Sequence, residues 1–434
     1  MQAAQESYPE RIEIRPISGP VSASVTLPGS KSITNRAMII AALAAGRSVL
    51  RDALFSDDTR YMAESLDRLG IQVESDLDNQ TFTIDGRGGV IPADQANLFI
   101  GNSGTSARFL TALVSLGSGQ YEIDGIERMR QRPIGPLLDA LGQLGVDARS
   151  RDGTGCPPIT VRGGGFSGGA VQMPGDTSSQ YFTALLMVAP VTSRGIELSV
   201  NGDLVSKPYI DMTIATMRDF GVEVRSDDYR EFIVPGGQSY LSRDYAIEPD
   251  ASAASYFFAL AAATGSKVLV SNLGRHSVQG DVAFVDTLER MGCVVERDDH
   301  WIRVTGPERL GGIDVDMNAI SDTMPTLAAI APLADGRVII RNVEHVRHKE
   351  TDRITAVVTE LRRAGINVEE RQDGLTIHPG RPHPTVVRTY DDHRMAMSFA
   401  ILGCVVPGIT IDQPGCVAKT FPDFFERLET VRFS

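Results

Sequence analysis

Cations, hydroxyl groups and acids gather at a few similar places in this chain. Lys31, Ser32 and Arg36 stand in LPGSKSITNR, Asn102, Gly104, Thr105 and Arg108 in GNSGTSAR, and Arg132 in RQRPIG. Ser178, Ser179 and Gln180 stand in DTSSQ, with Ser206 and Tyr209 in SKPYID. Further on come Asp322 in ISDTM, then His345, Lys349, Glu350 and Arg353 in EHVRHKETDR. His393 and Arg394 follow in YDDHR, and Lys419 in KTFPDF. Arginine forks, hydroxyls and glycine backbone are the means by which proteins hold phosphate and carboxylate. Asp322 and Glu350 are out of place in a bare anion sink, but they suit a general base and a general acid. Lys31 and Arg36 head the apolar run AMIIAALAAG, and cations there oppose the helix dipole. An anion held between them and the helix mouth removes the conflict.

The elements that must position these groups repeat. PGSKS, GNSGT, PGDTS, EPDAS, ISDTM and YDDHR recur every 70–74 residues. The third residue of each is Ser30, Ser103, Asp176, Asp250, Asp322 or Asp392, all side chains that cap helix N-termini. An apolar, small-residue helix follows each time, such as YFTALLMVAP or YFFALAAATG. Downstream, LDRLGIQVE, LGQLGVDAR, MRDFGVEVR, LERMGCVVE and LRRAGINVE read as amphipathic helix, C-terminal glycine and strand. A further strand and turn closes each copy. Repetition this regular predicts an α/β protein of six βαβαββ units, each carrying two helix mouths. The sixth unit lacks its closing strand pair, and ERIEIRPIS at 10–18 is a free strand able to complete it. The expected organisation is a discontinuous lower domain, 1–28 plus 249–434, and an upper domain, 29–248. Each has three units, and the polar mouths face a cleft between them. Taken singly, SKS or KETDR is an ordinary solvated helix start, with Lys349 and Arg353 a mildly costly i,i+4 like-charge pair. Recurrence at equivalent places is what makes a polyanion site the better reading.

Composition narrows the class. A chain of 434 residues with net charge −13 does not favour nonspecific nucleic-acid or acidic-membrane binding. Cys156, Cys293, Cys404 and Cys416 are far apart, so reduced thiols in a cytoplasmic protein are expected rather than disulfides or zinc. MQAAQESYPERIEIRP has no apolar signal core, and no apolar run is long enough for a membrane span. GGGFSG at 163–168 matches a dinucleotide fingerprint literally, yet it precedes the strand VQMP, so a hairpin turn is expected. His345 and His348 lack a metal-ligand pattern, and no metal or cofactor is expected.

Together LPGSKSITNRAMIIAALAAG, GNSGTSARFL, RQRPIG, DTSSQYFTALL, SKPYIDMT, HKETDRI, YDDHRMAMSFA and KTFPDFFE resemble the 5-enolpyruvylshikimate-3-phosphate synthases, in order, from about residue 12 to 430. The resemblance implies two domains of three βαβαββ units, arranged like an inside-out α/β barrel and hinged over the substrates. It implies transfer of the carboxyvinyl group of phosphoenolpyruvate to the 5-hydroxyl of shikimate 3-phosphate, through a tetrahedral intermediate, with release of phosphate. Ser32, Arg36, Ser178, Ser179, Ser206 and Tyr209 would hold shikimate 3-phosphate, with Asp322 and His345 beside its ring. Asn102, Gly104, Thr105, Arg132, Arg353, His393, Arg394 and Lys419 would hold phosphoenolpyruvate. Lys31, Gln180 and Lys349 would lie between the two. Asp322 and Glu350 fit base and acid, with Lys31 a rival proton carrier. The family's competitor glyphosate, a cytoplasmic location and a monomer come with the resemblance.

Two positions depart from the family pattern. His345 stands where members reading YNWRVKETDR have Asn, and SARF replaces AMRP behind Gly104. The sister enzymes acting on UDP-N-acetylglucosamine carry a cysteine on the loop that here reads GIERMRQRPIG, which has none. A non-catalytic polyanion scaffold is the remaining rival.

Overall fold

The structure is a computed structural model that describes residues 8–164 and 166–432. The chain forms two compact units. One is Pro28–Glu248; the other joins the described residues up to Leu27 to those from Pro249 onward.

Among the described residues the strands form six sheets with one recurring plan. In the sheet of Gln95–Phe99, Gln120–Asp124, Ile159–Arg162 and Asp147–Ser150, the first two strands run parallel and the remaining neighbours antiparallel. The strands of 169–235 and of 313–377 repeat that order within their own segments. Three sheets borrow a strand from a distant part of the chain. Asp244–Ala246 lies parallel to Ala45–Arg51, and Ser22–Val25 parallel to Lys267–Ser271. Arg11–Glu13 pairs antiparallel with Ile409–Asp412.

Each sheet covers part of a helical centre. In Pro28–Glu248 that centre is Lys31–Leu43, Gly104–Val114 and Ser179–Val188, packed on one another. In the other unit it is Ala251–Thr264, Met324–Ile330 and His393–Gly403. Helices that are apolar on all sides belong in an interior, and these are buried almost throughout. Small residues let the backbones approach. Three hydroxyls lie together in the second centre: Ser255 Oγ is 3.1 Å from Thr326 Oγ1, which lies 3.4 Å from Ser398 Oγ. The amphipathic helices end as their glycines require. Gly70, Gly145, Gly221, Gly292 and Gly365 have φ between +83° and +103°, where a side chain would be strained.

The GGGFSG segment is not a hairpin. Ile159–Arg162 pairs with its own sheet and Gly169–Pro174 with Gly195–Asn201, so the glycines connect two sheets. Gly165 lies outside the described residues.

Candidate active site

In the unit Pro28–Glu248, Ser30 caps the first buried helix by accepting from the Ile33 N–H. Within the next turn and a half stand Lys31, Ser32 and Arg36. Lys31 Nζ lies 3.6 Å from Asp58 Oδ2. Arg36 is 2% exposed, and its guanidinium donates to the Ser32 carbonyl (2.8 Å), the Tyr209 carbonyl (3.1 Å) and Thr213 Oγ1 (2.8 Å). All three are neutral oxygens. Burial lowers its pKa to about 10, against a smaller opposing pull from Tyr209. Phe109 closes one side, its ring centre 5.5 Å from the guanidinium carbon.

Thr213 also bonds Thr183 Oγ1 at 2.9 Å, tying this group to the helix that Ser178, Ser179 and Gln180 begin. Ser206 is buried at φ +55° just before the helix Pro208–Asp219 that carries Tyr209. The second helix mouth joins Asn102, Gly104 and Thr105 to Arg132. Arg132 Nη1 donates to the Asn102 carbonyl at 2.8 Å and to its Oδ1 at 3.1 Å. Arg108 donates to the Gly104 and Pro133 carbonyls. A Cβ at Gly104 would run into Arg132 Nη2, with Arg132 Cζ at 2.8 Å and Arg108 Nη1 at 2.9 Å. A side chain there would have to displace at least one of the two guanidiniums.

In the other unit the acids and cations interlock. Arg353 is 1% exposed and serves three carboxylates. Its Nε donates to Asp392 Oδ2 at 2.8 Å, Nη1 to Asp322 Oδ1 at 3.0 Å and Nη2 to Glu350 Oε2 at 2.8 Å. Burial alone would lower its pKa; the charges of Asp392, Glu350 and Asp322 outweigh it and hold the group above the ordinary arginine value. Arg394 Nη2 reaches Asp322 Oδ2 at 2.7 Å, and Lys419 Nζ stands 3.7 Å from Glu350 Oε1. His393 is buried with Nδ1 3.7 Å from Asp392 Oδ1. His345 Nε2 lies 2.9 Å from Ser321 Oγ. Burial, reinforced by the Lys349 charge, lowers its pKa to about 3, so the ring is neutral at working pH. Asp281 is buried beside this group, bonded by the Ser252 hydroxyl. Burial first, then the Asp322 charge, raises its pKa to about 6.

Three expectations are corrected here. Asp322 is not the fifth helix cap. It lies within the 3₁₀ turn Asn318–Thr323, and Thr323 takes the cap position of Met324–Ile330. Its carboxylate is turned instead to Arg353 and Arg394. Asp176 is not the third cap either; Ser178 accepts from the Gln180 N–H, and Asp176 is exposed. Lys349 and Arg353 are not a helical like-charge pair, because the helix Arg353–Arg363 begins at Arg353, capped by Asp352, and Lys349 is extended. Two partners were not singled out for chemistry. Asp392 is both a cap, accepting from the Arg394 N–H, and the Nε partner of Arg353. Asp58 faces Lys31 from the second helix; the acid pair in FSDDTR was its signal.

These features define an α/β repeat protein that concentrates cations at helix mouths and sets carboxylates against them. Residues 16–428 match the family described as EPSP synthase (3-phosphoshikimate 1-carboxyvinyltransferase), and the chain belongs to that family. It is 50% identical over 418 residues to the 3-phosphoshikimate 1-carboxyvinyltransferase of Trichormus variabilis, covering 96% of this chain and 98% of that one. With the chloroplastic enzyme of that name from Arabidopsis thaliana it shares 46% over 436 residues, 96% of this chain and 83% of the relative. The solved EPSP synthase of Acinetobacter baumannii superposes with a TM-score of 0.82 at 25% identity, covering 97% and 98% of the two chains. The enolpyruvyl transferase NikO of Streptomyces tendae shares the fold, with a TM-score of 0.74 at 21% identity and 96% of each chain covered.

Proposed function

We propose that this protein transfers the carboxyvinyl group of phosphoenolpyruvate to the 5-hydroxyl of shikimate 3-phosphate. The reading is carried by the cluster in which Arg353 and Arg394 share Asp322 while Glu350 bridges Arg353 and Lys419. Its setting in a chain of the EPSP synthase family supplies the substrates. The 5-hydroxyl oxygen bonds to C2 of phosphoenolpyruvate as its proton passes to a base and C3 gains a proton from an acid. The tetrahedral intermediate then loses a proton from C3 and expels phosphate. Asp322 takes the hydroxyl proton and Glu350 serves C3, with Lys31 able to carry a proton between substrates.

Both substrates carry a phosphate and a carboxylate. Lys31, Ser32, Arg36, Ser178, Ser179, Gln180, Ser206, Tyr209, His345 and Lys349 hold shikimate 3-phosphate, and His345 acts as a neutral hydrogen-bond partner of a ring hydroxyl. Asn102, Gly104, Thr105, Arg132, Arg353, His393, Arg394 and Lys419 hold phosphoenolpyruvate. Glyphosate competes at the phosphoenolpyruvate subsite. The four cysteines are free, and burial pushes Cys293, Cys404 and Cys416 up to about 12, so these thiols are unreactive. That suits a cytoplasmic enzyme, which we take to be a monomer. No helix among the described residues is long and apolar enough to cross a membrane.

The test is phosphate release from phosphoenolpyruvate with shikimate 3-phosphate, with UDP-N-acetylglucosamine and with neither. Turnover only with the first is expected. Turnover with the nucleotide sugar would reassign the acceptor, and none with either would leave an anion-binding scaffold.

A further inference from the structure

Glu360 is a buried acid with no part in the reaction above. It lies on the helix Arg353–Arg363, about two turns from Arg353, and is 0% exposed. Two of its partners, Arg388 and Tyr390, belong to one short segment, and the third, Arg363, to its own helix. Tyr390 Oη donates to Oε1 at 2.7 Å, the Arg388 N–H donates to Oε2 at 3.2 Å, and Arg363 Nη1 donates to Oε2 at 2.6 Å. Burial, with this hydrogen bond next, pushes the Tyr390 phenol up to about 12, so the hydroxyl remains a donor.

The loop that Glu360 holds is strained. Tyr390 and Asp391 adopt φ +55° and +54° in succession. Among the described residues the only other such consecutive pair with side chains is Asp228–Tyr229, and each residue held there carries a strain that its surroundings must offset. The next three residues are Asp392, which caps the following helix and binds Arg353 Nε, then His393 and Arg394. The helix of Glu360 opens with Arg353, so one rigid element carries both the cation and the anchor of the loop that presents its partner.

We propose that Glu360 and the Tyr390 hydroxyl form a positioning clasp that holds the strained turn and thereby sets Asp392, His393 and Arg394 for phosphoenolpyruvate. The clasp touches no substrate. Without it the turn samples relaxed conformers, the competent fraction falls, and apparent affinity falls by the same fraction. The loss therefore appears in the phosphoenolpyruvate KM rather than in kcat or in shikimate 3-phosphate binding. The inference rests on the proposed reaction for the identity of the ligand at Arg394.

The experiment uses full-length wild type, Tyr390→Phe, Glu360→Gln and Glu360→Leu, with steady-state kinetics for both substrates and melting temperatures. Tyr390→Phe removes one oxygen from a side chain 37% exposed, so folding should change little. The expected result is a phosphoenolpyruvate KM raised about fivefold, the worth of about one hydrogen bond, with kcat within twofold. Glu360→Gln keeps an acceptor for the phenol and should fall between wild type and Glu360→Leu. If wild type turns over normally while Tyr390→Phe keeps its phosphoenolpyruvate KM, the clasp is refuted. Equal rises in both KM values with a lowered melting temperature would also overturn it, as general destabilisation. Absence of wild-type turnover would strike the proposed reaction instead.

Discussion

Arg36 and Arg353 are both fully buried guanidiniums at the heads of helices, one in each unit, and their surroundings are opposite. Arg36 donates only to two carbonyls and a hydroxyl, and burial lowers its pKa to about 10. Arg353 is held by three carboxylates that raise its pKa. A buried cation among neutral oxygens is costly until an anion arrives, whereas one among acids is already compensated. The second is a frame that fixes acid groups in place. In the proposed reaction the same residue type would serve binding in one unit and positioning for proton transfer in the other.

The sharpest break is at Asp322, shared by Arg353 and Arg394. Asp322→Asn keeps the shape and removes the proton acceptor. Turnover should fall by about 10²–10⁴, with shikimate 3-phosphate affinity changed far less. Rapid-quench and binding measurements on one preparation decide it; turnover within a few-fold of wild type would leave Asp322 as a mere partner of the two arginines.

Replacing each arginine by methionine tests the contrast directly. Arg353→Met strips Asp392 of its guanidinium, leaving Asp322 to Arg394 and Glu350 to Lys419, and should destabilise the free protein by about 3–5 kcal/mol. Arg36→Met removes an uncompensated charge. Its free protein should melt no lower than wild type, while shikimate 3-phosphate binding weakens about 10- to 100-fold, the worth of charged hydrogen bonds. Calorimetry with and without ligand reads both, and equal destabilisation by the two changes would erase the distinction.

Gly104→Ala probes the crowding of Arg132 and Arg108 around one glycine. The methyl must displace Arg132, so the phosphoenolpyruvate KM should rise about tenfold, as when one charge-assisted bond is spoiled, and glyphosate should weaken further. Inhibition curves that match wild type at equal saturation would show that the guanidinium yields freely.

The smallest effect belongs to His345. Its folded pKa, about 3, lies below its ordinary 6.5, so the unfolded chain binds the proton more readily. The associated stability is present above pH 6.5 and is lost as pH falls towards 3. His345→Asn should therefore gain melting temperature relative to wild type between pH 6.5 and 4, with turnover changed by only a few-fold. A constant difference across that range would mean the ring is not held neutral.

Much of this was legible because the repeat announces itself: six capped apolar helices and five helix-ending glycines locate every mouth before any coordinate is known. The two cap errors have different origins. Asp322 and Asp176 occupy the position of a cap, yet in both repeats a later residue takes it. Asp322 finds two arginines, and Ser178 stands closer to the start of its own helix. Pairings such as Arg353 with Asp392 depend on contacts between residues 39 apart in sequence, which no local spacing encodes. The left-handed pair Tyr390–Asp391 was invisible for the converse reason: nothing in the letters YDD requires such a turn, and the Glu360 that its tyrosine bonds lies 30 residues away.

The borrowed strands have a consequence for how the protein is made. Pro28–Glu248 contains every partner of its own sheets once Asp244–Ala246 has been synthesised. That unit can therefore close while the remainder is still on the ribosome. Ser22–Val25 must wait until Lys267–Ser271 emerges, and Arg11–Glu13 until Ile409–Asp412 does. Unpaired strands invite association between nascent chains, and charge along their edges resists it. In RIE, two residues of three are charged. Arg11–Glu13 is thus made long before the strand it pairs with, and two charges lie along it during the interval.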